Sequence, residues 1–189
     1  MVRGVLALAV GVWLAIGAVG GPQVYGQQAG KSKAVPPTVD LAKPVTQKEV
    51  AATFEKLETA VQRVVLKGDR PPAKRPASQQ PASRSEIVRE MFRLYRMSEP
   101  KFRFTPKKQP FEKSDLSIAA SDGARPMLEK LIEWGFVGRV APLATSDKPT
   151  MQLPEFADAV SLFLARIAEL THTPSSNWSP YMNWHKDNP

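Results

Sequence analysis

Proline placement constrains this chain more than any other feature. Proline has no backbone N–H and a fixed φ, so it ends or kinks a helix that it enters. Pro71, Pro72, Pro76 and Pro81 crowd residues 69–82, Pro106 and Pro110 interrupt residues 101–114, and Pro100, Pro174 and Pro180 stand singly. The stretches between them must fold as short elements, and four of these carry a helical period. Val50, Phe54, Leu57, Val61 and Val64 form one stripe, with Gly68 as a stop. Ile87, Met91, Leu94 and Tyr95 mark a helix over about 84–97, ended by Pro100. Met127, Leu128, Leu131 and Ile132 mark one over 125–134, with Gly135 placed for a left-handed stop. Phe156, Val160, Phe163, Ile167 and Leu170 give the strongest pattern, over 153–170. The expected fold is therefore mostly α, with a small core. The proline-rich, basic segment 69–82 reads as an extended, mobile, protease-sensitive linker. Residues 101–114, which mix Phe102, Phe104 and Phe111 with lysines, read as an extended strap docked on the helices.

The N-terminus has the layout of a secretory signal. Arg3 is the first charge and Lys31 the next, with an apolar run over 5–19 and small residues after it. Cleavage is expected after Gly26, with the bond after Gly20 as second choice, so the mature chain begins at Gln27. The run is near the length of a short transmembrane helix, and an uncleaved anchor is the alternative. Residues 27–44 are polar and read as a flexible arm. The chain has no cysteine, which excludes disulfides, thiolate metal sites, a Cys nucleophile and a lipid-modified Cys. Its net charge of +8 suits anionic wall polymer or lipid headgroups, and export argues against nucleic acid.

Three helix starts share one phrase. Residues 45–51, 82–88 and 151–157 each place Glu three positions after a polar residue and just before an apolar one: Thr46 and Glu49, Ser83 and Glu86, Gln152 and Glu155. The first two are capping boxes, which pair two backbone N–H groups that the helix itself leaves unpaired. In the third, Gln152 is a poorer cap, and Pro154 fits the first turn.

The order of these phrases resembles the S-layer homology (SLH) family. Asp115-Leu116, then Leu131 to Gly138 with its Leu-x-x-x-Gly, then Pro149-Thr150, then Glu155-Phe156-Ala157 occupy the family's places over residues 111–170. Residues 46–51 and 83–88 resemble the second half of the same unit. The resemblance implies a helical core over 83–170, a partial unit over 45–68, and attachment to acidic wall polysaccharide through an Arg just after the cap. The equivalent positions here are Gln47, Arg84 and Leu153, so Arg84 is the candidate glycan-binding cation. Its Ala substitution is expected to weaken binding to wall sacculi. Trp134, beside Gly135, is a candidate stacking face. SLH-like segments can also serve as plain packing units.

No catalytic machinery is recognisable. His172 and His185 are the only histidines, both in the tail, and no phosphate-binding loop, zincin phrase or nucleophile elbow occurs. Glu49, Glu86 and Glu155 are explained as caps. No cofactor or metal is expected, and the chain reads as a non-enzyme. In the tail, residues 171–189, Trp178, Tyr181 and Trp184 recur every three residues and read either as rings laid back over the core or as a docking strip. The function expected is a non-enzymatic, exported cell-envelope protein that associates with wall polysaccharide or an envelope assembly. The alternatives are an exported protein-interaction module and a membrane-tethered scaffold.

Overall fold

The computed structural model describes residues 42–182. The signal segment, residues 27–41 of the arm, Trp184 and His185 lie outside the described residues.

The fold is mostly helical, and each long helix starts where its phrase puts it. Helix α1 (Gln47–Ala60) opens on Thr46: the Glu49 N–H donates to Thr46 Oγ1 at 3.2 Å, and the Thr46 N–H donates to Glu49 Oε2 at 2.7 Å. Helix α2 (Arg84–Ser98) repeats the arrangement with Ser83 and Glu86. Helix α3 is Arg125–Glu133, α4 is the single turn Pro142–Thr145, α5 is Leu153–Thr171, and α6 is Ser179–Met182. At α5 the Gln152 N–H donates to Glu155 at 3.0 Å.

The helix ends differ more from expectation than the starts. α1 widens into a π turn over Val61–Val65, and the left-handed residue after it is Lys67 (φ 56), not Gly68. Gly68 instead donates its N–H to Gln62 O at 2.9 Å, closing the broad turn. Gly135 does take the left-handed conformation (φ 76), which turns Phe136 back under α3.

One hydrophobic cluster runs from Val45 to Trp178. Phe136 lies at its centre, fully buried, with its ring 5.1 Å from Tyr95, 6.0 Å from Phe102 and 5.5 Å from Phe163. Burying such a ring contributes about 1.5–3 kcal/mol. Phe54 of α1 meets Phe156 of α5 at 6.1 Å, so the segment 45–68 is part of the same core as 83–170. The described residues, 42–182, all fall in one compact unit.

The three cap phrases converge. The Val45 N–H donates to Met151 O at 2.8 Å, and the Ala82 N–H donates to Val45 O at 2.9 Å. Ser83 and Thr150 close the third side as an isolated antiparallel bridge, and Pro44 pairs with Gln152 in the same way. Val45, Ala82 and Met151 hold the same place before their caps, and all three are buried. The phrases are thus one ring of backbone pairing from which α1, α2 and α5 depart.

Segment 69–82 corrects the expectation of a mobile linker. It is extended, as proline requires, but docked. The Arg75 side chain, 5% exposed, donates to Glu58 Oε2 at 2.7 Å and to Glu90 Oε2 at 2.8 Å. Glu58 also accepts from the Ala73 N–H at 3.1 Å and from both terminal nitrogens of Arg93. Glu58 is an acid on the buried side of α1, and a charge there must find counter-charges. The connector supplies one of them.

Candidate functional site: a ring of three helix starts

Two helices of the ring, α1 and α2, each grip the stretch of chain that leads into the next helix of the ring. The residue just after the cap makes the contact. In α1 this is Gln47: its N–H donates to Gln80 O at 2.9 Å, and its side-chain carbonyl accepts from Ser78 Oγ at 2.7 Å. Its amide nitrogen also reaches Glu86 at 2.7 Å, tying the two capping boxes together. In α2 it is Arg84, whose guanidinium donates to the carbonyls of Lys148 at 2.5 Å, Thr150 at 3.0 Å and Pro142. The equivalent position in α5 is Leu153, which makes no such polar contact and packs against the core next to the Pro44–Gln152 bridge.

Arg84 is therefore a clasp. It is 3% exposed, and Nε, Nη1 and Nη2 each meet a carbonyl. Burial pulls its pKa below the ordinary value, opposed by Glu155 and Asp147. A guanidinium held this way shapes the 142–150 loop and exposes almost no surface for a polymer to take. The expected role as an open glycan-binding cation does not fit this placement, because the loop has already taken the bonds.

Trp134 sits elsewhere. It follows the last residue of α3, half-buried, and its carbonyl accepts from Arg166 Nε at 3.1 Å. Arg166 is thirteen residues into α5, about 20 Å along the helix axis from its start, whereas Arg84 faces the lead-in to α5. The two candidate glycan residues are thus at opposite ends of one helix. Lys108 Nζ lies 5.9 Å from the Trp134 ring centroid and 2.7 Å from Glu133. The Trp134 ring N–H is shielded from water and has no acceptor among the described residues. Gly135 beside it brings the strap close, since a Cβ there would lie 2.9 Å from Gln109 Nε2.

The tail divides. Trp178 is buried at 5% exposure, with its ring N–H donating to Thr173 Oγ1 at 3.0 Å, so it extends the core as one of its two expected readings had it. Tyr181 packs partly against the core and lines a groove with Glu55, Lys56, Thr59, Pro72 and Pro180. His172 is exposed in a left-handed conformation with Phe104 beside it at 5.5 Å. Among the described residues no three metal-ligating side chains cluster, and no helix is long and apolar enough to cross a membrane.

Sequence reasoning missed the Glu58–Arg75–Arg93–Glu90 cluster. A signal was present, because Glu58 falls four residues after Phe54 and eight after Val50, on the apolar stripe itself. An acid at that register calls for a buried cation.

The chain matches no family model, no curated protein and no solved structure.

Proposed function

We propose that this chain is an exported, non-enzymatic protein of the cell envelope whose body is an SLH-like docking module for acidic wall polysaccharide or an envelope assembly. The observation that carries the reading is the ring: three copies of one phrase meet head to head, and the first two grip the lead-in to the next. Such repetition is a device for building one body from like units, and the order of parts over residues 111–170 is what resembles the family.

The polymer contact falls at Trp134 rather than at Arg84. An acidic sugar stacking on the Trp134 ring takes the place of Lys108, and its carboxylate takes that ammonium from Glu133. The test is co-sedimentation of the chain from Gln27 with wall sacculi, with and without their acidic polymer. Among the described residues every buried core side chain lies between Val45 and Trp178, and this form keeps all of them. Trp134→Ala with Lys108→Gln should reduce binding at least tenfold, while Arg84→Ala should lower stability and leave the binding of the folded fraction intact. Loss of binding in Arg84→Ala at full fold, or no sacculus binding by the native protein, overturns the reading.

A further inference from the structure

The strap over residues 101–108 is fastened through one side and presents the other. Its backbone is pinned where the Arg103 N–H donates to Leu170 O at 2.8 Å and the Gln109 N–H to Glu133 O at 2.8 Å. Phe102 stacks on Phe136, and Pro106 is buried. Lys101, Arg103, Phe104 and Lys107 are left facing solvent. Among the described residues these three cations have no ion-pair partner. Four carboxylates of the neighbouring helices are engaged elsewhere: Glu133 by Lys108 at 2.7 Å, Glu129 by Lys113 at 2.7 Å, Glu169 by Arg166 at 2.5 Å, and Glu99 by Arg96 at 2.6 Å.

Phe104 is 41% exposed in the middle of this row. A phenyl ring held out among unpaired cations suits an interface that is apolar on one side and anionic on the other. Phenylalanine lacks the polar handle with which Tyr or Trp meets a sugar, which favours a lipid surface over a glycan.

We infer that the strap docks on an anionic lipid bilayer, with phosphate groups meeting Lys101, Arg103 and Lys107 while Phe104 enters the headgroup boundary. The inference rests on the envelope reading only for where such a surface is met. It uses residues separate from the Trp134 corner, so the two fail separately.

The test is sedimentation of the chain from Gln27 with vesicles of phosphatidylcholine alone or with phosphatidylglycerol added. Binding should require phosphatidylglycerol and weaken with salt. Each cation near such a surface is worth about fivefold in affinity, so Arg103→Gln with Lys107→Gln should lose roughly 30-fold. Phe104→Ala should lose several-fold with circular dichroism unchanged. Lys67→Gln with Lys74→Gln, exposed cations off the strap, should match the native protein. Equal loss in that control pair, equal binding to neutral vesicles, or binding to sacculi but not to phosphatidylglycerol vesicles would overturn the inference.

Discussion

Segments 69–82 and 101–114 are both basic and interrupted by proline, though only the second carries phenylalanines, and the fold uses them in opposite ways. The first is fastened by charge turned inward: Arg75 reaches through to Glu58 and Glu90. The second is fastened by backbone bonds and by Phe102 and Pro106, which leaves its free cations outside. The difference comes from what lies beneath. Under the connector is an acid on the buried side of α1, and under the strap is the ring cluster around Phe136. A proline-rich basic segment follows the chemistry of the surface it crosses, and composition alone does not report that surface.

The largest effect that tests this contrast is at Glu58. Glu58→Ala leaves Arg75 and Arg93 without their shared acceptor and should cost about 3–5 kcal/mol in urea unfolding. Trypsin should then cut early after Lys74, a bond that the docked connector protects. If Lys74 is cut equally fast in the native protein, the connector is not fastened by charge.

Next comes Phe102→Ala, which removes the ring stacked on Phe136 and should cost about 2–3 kcal/mol for a partly buried phenylalanine. Amide exchange should rise at Arg103 and Gln109 and stay slow at Ala73, whose N–H is held by Glu58. Parallel loosening of both segments would merge the two cases into one.

The smallest effect is acid. The hydrogen bond from Lys113 holds Glu129 below its ordinary pKa of 4.5, against desolvation and with help from Arg125. A depressed carboxylate pKa contributes stability that is present above 4.5 and lost as pH falls through the lower folded value. For so exposed a pair the loss is below about 1 kcal/mol. It should appear as faster amide exchange around Lys113 below pH 4.5, and Glu129→Gln should abolish that pH dependence.

The parts of this fold written in local sequence were legible. Thr46, Ser83 and their glutamates predicted two helix starts because a capping box is satisfied within four residues. Gly135 gave its turn for the same reason. What was hidden is long-range. Nothing beside Val45 says that its N–H will meet Met151, and nothing beside Arg84 says that three carbonyls of the 142–150 loop will take its guanidinium before any polymer could. The left-handed residue after the π turn is Lys67, one place before the glycine read as the stop, and no local signal in the sequence marked the π turn. Trp134 was singled out for its position beside a glycine, but the Lys108 that lies over its ring comes from a strap whose path depends on the whole core.

The bonds between Val45 and Met151 also set an order in time. The chain is made from its first residue onward, and the Val45 N–H must wait for a carbonyl more than half the chain away. Until Met151 arrives, the first capping phrase can close only against the second, where the Ala82 N–H meets Val45 O, and the ring stays incomplete however well Thr46 and Glu49 hold their helix. Contacts this distant in sequence form slowly and late. A nascent chain stopped short of that residue is consequently still open, and an open chain is the form in which a polypeptide can be threaded through a narrow passage.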